Sequence, residues 1–468
     1  MGVHCPVMAS ERVRVLNPAP VRAEGRYVLY WIQANRRVEY NHALAHAADL
    51  ANSLDVPLLC YEELDSGQPY ASDRFHTFHL EGVGELAAAL KKLGAGYCFY
   101  LRRRRADPET FLPQLAEEAA AVVTDDHPTL MRERPVAAQC VAVDSSCIVP
   151  VSCIPERAYA AYSIRPKIKR LLPAFLKAPR PIVLRRRYSG AAPAWHTAVR
   201  ESEIAALVQS CEIDHSVGPS LTYRGGRRYA EKHLQRFLSE RLRLYARLKN
   251  EPSAHATSEL SPYLHWGWIS PLEIALETER AAAAGKLVAD EFLEELIVRR
   301  ELAFNFARYA ARPASLESLP RWAQETLRQH ARDPRPYVYT RGQFCAAETH
   351  DALWNAAQKE MRLRGKIHGY YRMYWGKKII EWSRRPEEAL ETMIEIHDRW
   401  ALDGRDPNTY ANILWCFGLH DRPWPERPVF GKVRTMTLEG MRRKTQVERY
   451  IAEIAEMERT GRDPFRIQ

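Results

Sequence analysis

The sequence predicts an α/β domain with a doubly wound parallel sheet, followed by a second domain made of helices. Two patterns support this fold class. Short apolar runs alternate with amphipathic segments in the first third of the chain, whereas helical periodicity dominates from Gly225 onward. The length of 468 residues also exceeds what one hydrophobic core normally supports.

Four short apolar runs predict the strands of the sheet: Tyr27–Trp31, Pro57–Tyr61, Gly96–Leu101 and Ala121–Thr124. Amphipathic segments between these runs predict helices over 41–54, 75–92 and 111–120. Such alternation requires right-handed crossovers, which produce a parallel sheet with helices on both faces. Parallel sheets bind ligands beyond the carboxyl ends of their strands. No GxGxxG or Walker sequence is present, so we expect no conventional dinucleotide or triphosphate site there.

The chain divides into four predicted parts: a flexible arm over 1–25, the α/β domain over 26–169, a connector over 170–224 and the helical domain over 225–468. The arm is rich in proline, arginine and alanine, and the connector combines prolines with weak periodicity. The change from alternating elements to helices marks the start of the last domain. Its helices are predicted from Gly225 to just before Pro252, and over 271–284, 290–310, 319–330, 351–364, 369–382, 386–400 and 446–459.

The composition narrows the class of protein. No apolar run reaches the roughly 18 residues of a membrane helix, and the first residues lack the apolar core of a signal peptide, so we expect a cytoplasmic protein without a membrane partner. The nine cysteines form no CxxC pairs, which indicates reduced thiols and no metal site. The formal charge of +10 favours a polyanionic partner, although many basic proteins bind none.

Three hydroxyl side chains precede a predicted helix start at Pro262. They are Thr257, Ser258 and Ser261. Hydroxyl groups and free amide groups at a helix N-terminus form an anion site that suits a pyrophosphate. Simple capping of the helix explains the same residues, so the spacing alone leaves both interpretations open.

Three tryptophans are candidates for an electron relay. Trp375 and Trp382 lie on one face of a predicted helix, two turns and about 10 Å apart by the helical rise. Trp354 belongs to an earlier segment, which folding must bring to the same row. Indoles in series can carry single electrons between a buried redox centre and the surface. Ordinary core aromatics are the alternative.

Opposite charges in the segment FLEELIVRRELAFNF predict an ion pair. Helical spacing allows an i,i+4 contact between Glu295 and Arg299, which would hold a buried carboxylate. A surface salt bridge of little energetic value is the alternative.

Long motifs of rare residues in the helical domain resemble one known family. They are TSELSPYLHWG at 257–267, WNAAQ at 354–358, GKIHGYYRMYWGKKIIEW at 365–382 and LDGRDPN at 402–408. Together they are similar to the signature of class II cyclobutane-pyrimidine-dimer (CPD) photolyases, the light-driven DNA-repair flavoproteins of the photolyase/cryptochrome family. The resemblance extends from about Tyr27 to Ile451.

The resemblance implies the photolyase/cryptochrome architecture, with noncovalent FAD in the helical domain. It also implies that Arg372 and Asp403 pair beside the flavin ring, where opposite charge stabilises the reduced form. An antenna chromophore, either a deazaflavin or a folate, stays open because no residue pattern specifies one. The positions that match the family's cofactor-binding residues are Tyr245, Thr257, Ser258, Leu260, Ser261, Arg299, Asn355, Arg372, Asp403, Asp406 and Asn408.

The same resemblance implies a deoxyribodipyrimidine photo-lyase, a carbon–carbon lyase that acts as a monomer on double-stranded DNA containing a pyrimidine dimer. The dimer must leave the base stack to reach the flavin. The implied catalytic and lesion-contact residues are Glu295, Met373, Trp415 and His397, and the implied electron-transfer residues are Trp354, Trp375 and Trp382. The predicted DNA-binding residues are Arg422, Trp424, Arg427 and Lys432.

Three departures from the family pattern lie near the implied flavin site. His397 replaces an asparagine that contacts flavin N5, Thr409 and Asn412 replace glycines, and the segment 421–424 replaces the sequence DQGW. An ionisable ring at position 397 predicts a titration at about pH 6 to 7, unless His397 is a packed core residue. Two alternative functions therefore stay open: a cryptochrome-like photoreceptor, or a redox or photochemical enzyme on a non-DNA substrate.

Overall fold

The computed structural model describes residues 10–467. Six strands form one sheet in the order β1-β6-β5-β2-β3-β4, and each neighbouring pair is parallel except β1 with β6. This sheet and the helical region after it confirm the predicted fold class. The strands are β1 (Val13–Val15), β2 (Tyr27–Ile32), β3 (Leu58–Asp65), β4 (Gly96–Arg102), β5 (Ala119–Asp125) and β6 (Gln139–Val143).

Helices cover both faces of the sheet and make up the rest of the chain. Two π-helical segments, Phe237–Arg241 and Glu294–Arg299, continue α6 into α7 and α10 into α11. Within residues 10–467, no helix is both long enough and apolar enough to cross a membrane. The helices are α1 (His42–Ser53), α2 (Asp73–Leu93), α3 (Leu112–Glu117), α4 (Ala161–Phe175), α5 (Ile204–Gln209), α6 (Arg227–Arg236), α7 (Leu242–Leu248), α8 (Ser261–His265), α9 (Pro271–Gly285), α10 (Asp290–Leu293), α11 (Arg300–Tyr309), α12 (Arg321–Gln329), α13 (Arg341–Ala346), α14 (Ala352–Arg364), α15 (Gly369–Trp382), α16 (Pro386–Trp400), α17 (Pro407–Cys416), α18 (Leu438–Lys444) and α19 (Val447–Thr460).

Most predicted elements are confirmed to within a few residues, and α15 and α16 begin and end at the predicted positions. The predicted helix over 111–120 is too long, because α3 ends at Glu117 and β5 already begins at Ala119. Strand β6 is absent from the prediction. Its sequence QCVAV has only two β-branched residues, so its composition gives a weak strand signal.

The predicted flexible arm is wrong from residue 10 onward, whereas residues 1–9 lie outside the described part of the chain. Val13 and Val15 of β1 pair with Val143 and Val141 of β6. The buried guanidinium of Arg12 donates to the carbonyl oxygens of Asp144, Cys147 and Ile148 at 2.9, 3.0 and 2.6 Å. These contacts hold the segment on the sheet edge, and proline-rich composition alone does not reveal them.

One hydrophobic cluster joins the sheet to the first part of the helical region. It joins Val28 and Tyr30 of β2 to Trp266 and Trp268, which follow α8. Between these two tryptophans, Gly267 has a φ of +72°, and a Cβ atom there would lie 1.9 Å from the carbonyl oxygen of Ala34. Only glycine fits this conformation and this close approach. The segment after the predicted hydroxyl loop is therefore fixed against the end of β2.

We predict that Gly267→Ala lowers the free energy of unfolding by at least about 2 kcal/mol, because the methyl group would overlap the neighbouring backbone. Gly218→Ala is the matched control, since an added Cβ there meets no atom within 4 Å. Its effect should stay within about 0.5 kcal/mol. Urea unfolding midpoints followed by circular dichroism check both variants. Equal midpoints for Gly267→Ala and the parent protein would contradict a close contact between Gly267 and the backbone of Ala34.

Candidate functional site

The loop before α8 holds the predicted hydroxyl groups beside a buried carboxylate. Thr257 Oγ1 donates to Glu259 Oε1 at 2.5 Å, and Lys366 Nζ lies 2.9 Å from Glu259 Oε2. Burial favours the neutral form of Glu259, but the charges of Lys366 and Arg364 and the hydrogen bond from Thr257 help to hold its pKa well below the usual value. Ser261 Oγ is buried near Asp403 and makes no hydrogen bond of normal geometry to the described residues. Of the three predicted hydroxyl groups, that of Thr257 is therefore already used within the loop.

An ion pair joins α15 to the loop between α16 and α17. Arg372 Nη2 donates to Asp403 Oδ2 at 3.0 Å and to Oδ1 at 3.2 Å, which confirms the predicted pair. Burial raises the pKa of Asp403, but Arg372 and the smaller contributions of its other neighbours together outweigh this effect and lower the pKa to about 2. Arg372 Nε is buried and has no partner among residues 10–467. The pair therefore retains one free donor.

His397, near the end of α16, lies beside this ion pair. Its Nε2 is 3.9 Å from Asp403 Oδ1, and neither ring nitrogen has a hydrogen-bond partner in the described part of the chain. Burial and the nearby charge of Arg372 lower the pKa of His397 to about 3. This shift favours a neutral ring at pH 6 to 7, against the predicted titration in that range.

Asp406 and Asn408 bond to each other at the start of α17. Asp406 accepts from the backbone N–H of Asn408 at 2.9 Å and from its side-chain amide at 2.8 Å. Its second oxygen lies 3.2 Å from Nδ1 of His265 on α8. Burial raises the pKa of Asp406, but the contact with His265 lowers it overall. His265 was not predicted as a site residue, although it stands inside the motif TSELSPYLHWG.

The π-helical segment Glu294–Arg299 changes the predicted ion pair. In a π-helix the backbone hydrogen bonds join residues five apart, so the side chain of Arg299 faces Glu294. Arg299 Nε lies 3.6 Å from Glu294 Oε1. The predicted pair between Glu295 and Arg299 is therefore wrong. The side chain of Glu295 is also 46% exposed, so it is not a buried carboxylate.

Lys249, the residue that follows α7, is the positive partner of Glu295. Its Nζ lies 3.3 Å from Glu295 Oε1 and 3.0 Å from Glu291 Oε2. The same nitrogen is 5.8 Å from the ring centre of Tyr245, which packs against Phe292. Lys249 was not predicted. Its position four residues after Tyr245 is the signal that could have revealed it, because residues four apart are neighbours on a helix.

The three predicted tryptophans form a continuous aromatic row with Trp354 in the middle. Its ring lies 6.4 Å from Trp375, nearly parallel at 7°, and 6.1 Å from Trp382 at 66°. Trp354 Nε1 donates to the carbonyl oxygen of Trp375 at 3.0 Å, and Trp375 Nε1 donates to Gln358 at 2.9 Å. The prediction that folding brings Trp354 to the row is confirmed.

The aromatic row reaches the surface through other residues, because Trp382 is itself only 2% exposed. The ring of His350 lies 4.9 Å from Trp382, and the ring of Tyr339 lies 5.7 Å away. Tyr337 stacks on His350 at 3.7 Å and is 46% exposed. His350, Tyr339 and Tyr337 therefore continue the aromatic contacts from Trp382 to the protein surface.

The remaining predicted cofactor positions differ in the polar atoms that they leave available to a ligand. The side-chain amide of Asn355 makes three hydrogen bonds with Thr349, at 2.8, 2.8 and 3.0 Å, so its polar atoms are already used. Leu260 is buried in the hydrophobic core, and Ser258 is partly exposed. Of these positions, Ser258 alone presents an accessible polar side chain.

The predicted lesion and DNA residues lie around the segment after α17. Met373 and Trp415 are partly exposed, and Trp424 Nε1 donates to Asp421 at 3.3 Å. The guanidinium of Arg434 lies 5.8 Å from the ring of Trp415 and 5.0 Å from that of Trp424. The two indoles therefore lie close to one cation. The predicted DNA-binding residues Arg422, Arg427 and Lys432 are all exposed.

A cavity of about 400 Å³ borders the hydroxyl loop. It lies between this loop, the end of α14 and α19, and its lining includes Thr257, Glu259, Lys366 and His368. Its volume is within the usual range of small-molecule sites. The predicted cofactor loop therefore faces space of the size that a ligand needs.

A smaller crevice of about 80 Å³ lies where the parallel sheet should bind a ligand. Its lining includes Gln33 and Arg36 after β2, together with Arg132 and Trp266. Small-molecule sites usually measure at least about 300 Å³. A deazaflavin or a folate therefore enters this crevice only if the lining side chains move.

Comparison with known proteins identifies the relatives of this chain. A family model described as DNA photolyase matches residues 28–186. The deoxyribodipyrimidine photo-lyase of Methanothermobacter thermautotrophicus is 40% identical over 453 residues, which cover 95% of this chain and 98% of that protein. The protein of the same name from Potorous tridactylus is 35% identical over 462 residues, which cover 95% of this chain and 84% of that protein.

Solved structures share the fold at low sequence identity. A bacterial class III photolyase from Agrobacterium tumefaciens has a TM-score of 0.63 at 17% identity and covers 96% of this chain and 90% of its own. A cryptochrome from Synechocystis sp. has a TM-score of 0.66 at 15% identity, with coverages of 93% and 89%. The sheet followed by a helical region is thus the photolyase/cryptochrome architecture. The chain is also 40% and 35% identical to the two photo-lyases over 95% of its length, and it therefore belongs to the DNA photolyase family.

We predict that Asp403→Asn lowers the free energy of unfolding by about 3 kcal/mol, because Arg372 would keep a buried charge without a charged partner. Arg372→Met should have an effect of similar size. The double variant should lose less than the sum of the single variants, since the two side chains interact directly. A urea-unfolding double-mutant cycle measures this coupling. Additive losses would show that the ion pair makes no joint contribution to stability.

Proposed function

We propose that this protein is a class II deoxyribodipyrimidine photo-lyase, a monomeric light-driven enzyme that splits cyclobutane pyrimidine dimers in double-stranded DNA with bound FAD. The observation that supports it most is the set of unpartnered buried polar atoms around the Arg372–Asp403 pair. Arg372 itself precedes Trp375, where the aromatic row begins, by one turn of α15. Family membership supports the same reaction.

The residues around the ion pair fit a flavin ring. Arg372 Nε and both ring nitrogens of His397 are buried without hydrogen-bond partners in the described chain. Proteins normally satisfy such atoms, so this group is suited to a polar ligand. An isoalloxazine carries carbonyl oxygens and ring nitrogens that could accept from and donate to it. Bound in its reduced form, FAD would supply the photoexcited electron that splits the dimer.

The side chains near Glu295 and Trp415 are suited to hold a dimer that has left the duplex. Met373 and Trp415 offer partly exposed apolar surface for packing against the pyrimidine rings. The exposed carboxyl group of Glu295 can share a proton with a pyrimidine carbonyl or imide as negative charge develops there. Lys249, bonded to Glu295, adds a positive charge that suits a neighbouring phosphate.

The exposed cations after α17 are suited to grip the DNA backbone. Arg422, Arg427 and Lys432 are exposed, and Arg422 lies 5.3 Å from the ring of Trp424. Phosphate contacts of this kind make affinity fall steeply as salt increases. An aromatic ring among them can stack on a base that has lost its partner.

Repair of an irradiated oligonucleotide tests the proposed function directly. Purified holoprotein would be chemically reduced and mixed with a duplex that contains one thymine dimer. Blue light should restore the absorbance of intact thymines, whereas a dark sample and a sample without protein should stay unchanged. Reduced, flavin-loaded protein that leaves the dimer intact under light would contradict the proposal.

A cryptochrome-like photoreceptor is the second candidate. It is favoured by the aromatic contacts that run from Trp382 to the exposed ring of Tyr337, because a redox change could be transmitted to a surface there. Fast photoreduction of the bound flavin, combined with an intact dimer in the repair assay, would favour this candidate over repair.

We predict that Trp354→Phe lowers the yield of stable flavin photoreduction by about tenfold or more, since Trp354 lies between the other two indoles. Repair by protein that has been reduced chemically beforehand should stay within about twofold of the parent. Trp322→Phe, outside the aromatic row, is the control. Absorbance changes under blue light provide the measurement, and equal photoreduction in Trp354→Phe and the parent would show that electrons take another route.

A further prediction concerns the redox potential of the bound flavin. His397 is neutral above its lowered pKa of about 3, so it should add no pH dependence to that potential between pH 6 and 8. His397→Asn should therefore shift the potential by a constant amount over this range. Spectroelectrochemical titration of the parent and the variant provides the measurement. A change of slope near pH 6.5 that disappears in the variant would show that His397 titrates when flavin is bound.

A further inference from the structure

Lys377 is a fully buried lysine without a carboxylate partner. Its side chain lies on α15 and is 0% exposed, and no carboxylate of residues 10–467 is within ion-pair distance of its nitrogen. Nζ donates to the carbonyl oxygen of Cys416 at 2.5 Å, at the end of α17. The next residue, Lys378, does have a carboxylate partner, because its Nζ lies 2.6 Å from Glu381 Oε2.

The buried ammonium group lies under the indole that is proposed to contact the lesion. Nζ of Lys377 is 5.2 Å from the ring centre of Trp415 and 6.0 Å from that of Phe430. Trp415 is partly exposed, so one part of its ring stays available to a ligand. Met373, the other proposed lesion contact, precedes Lys377 by one helical turn. Lys377 therefore supports the apolar part of the site from within the protein.

Stability alone does not explain a lysine at this position. An unpaired buried ammonium group is expensive to desolvate, and one carbonyl oxygen satisfies only one of its three donors. An unbranched apolar residue of the same length would fill the space without that penalty. The contact that uses the charge itself is the one with the electron-rich faces of Trp415 and Phe430.

We propose that Lys377 is a positioning residue of the damaged-DNA site, whose ammonium group holds the indole of Trp415 in the orientation that receives the dimer. This inference rests on the proposed function, because the role of Trp415 as a contact of the dimer is part of that proposal. It concerns the binding step and does not involve electron transfer. Lys377 touches neither the dimer nor the cofactor in this role, and it acts through the indole.

The charge of Lys377 should make lesion binding dependent on pH. Burial lowers its pKa to about 8. The charged or titratable groups that face it are Asp421, Arg434 and the thiol of Cys416, whose pKa burial raises to about 11. Of Lys377 and the thiol of Cys416, Lys377 alone changes charge near pH 8, so affinity for the dimer should fall as the pH rises through 8.

The stability of the fold should change in the opposite direction. The unfolded chain keeps a proton on Lys377 up to about pH 10.5, whereas the folded protein releases it at about pH 8. The unfolded state therefore binds more protons between these values, and this residue makes the fold more stable as the pH rises. Loss of lesion affinity without loss of stability separates a positioning role from general unfolding.

The test compares dark binding of duplexes with and without one thymine dimer to flavin-loaded Lys377→Met and Lys378→Met. Lys377→Met should weaken binding of the dimer-containing duplex by about three- to thirtyfold at pH 7 and leave binding of the undamaged duplex unchanged. Its affinity should no longer fall between pH 7 and 9. Lys378→Met, the matched control, should bind both duplexes as the parent does, with the pH dependence retained.

Unchanged dimer affinity in Lys377→Met, or a pH profile of the parent that is flat from pH 7 to 9, would overturn the inference. An equal loss of affinity for both duplexes would do the same, because it would indicate a general contact with DNA. The pH profile of the parent needs no variant, so it remains decisive if Lys377→Met does not fold. A parent protein that fails to distinguish the two duplexes would instead overturn the proposed function.

Discussion

The buried ion pair between Arg372 and Asp403 determines the chemistry of the site around it. Removing two charges from water costs several kcal/mol per ion, so such a pair is a poor way to gain stability. Its effect lies in the electrostatic field that it creates. The charge of Arg372 helps to keep His397 neutral and Asp403 ionised. The pair also joins α15 to the loop between α16 and α17, beside the buried ring of His397.

Local patterns were sufficient to predict the elements that carry this pair. Helices α15 and α16 begin and end where periodicity and the position of Pro386 place them, because their boundaries depend on neighbouring residues. The π-helical segment before α11 could not be predicted in this way. Its residues are ordinary helix formers, and the change from four- to five-residue spacing leaves no mark in the sequence. That change transfers Arg299 from the predicted partner Glu295 to Glu294.

Contacts between distant segments were only partly predictable. The spacing of Trp375 and Trp382 indicates a common helix face, but only the fold shows that Trp354 stacks between them. Arg12 and Lys377 are harder cases, since both donate to backbone carbonyl oxygens. A carbonyl group belongs to every residue and gives no sequence signal. The motifs therefore identified the ion pair and the indoles, but not the buried cations that support the surrounding structure.

The neutral state of His397 changes the meaning of its departure from the family pattern. Replacing asparagine by histidine would be a severe change if the ring became charged, because the positive charge would lie next to that of Arg372. A neutral imidazole instead offers one donor and one acceptor, and an asparagine amide likewise offers both. Both ring nitrogens are unpartnered in the described chain, so both are available to a ligand. His397 can therefore preserve the hydrogen-bonding capacity of the replaced asparagine in a larger side chain. What differs is its shape, and under the proposed function this favours an adjusted flavin site over a new reaction.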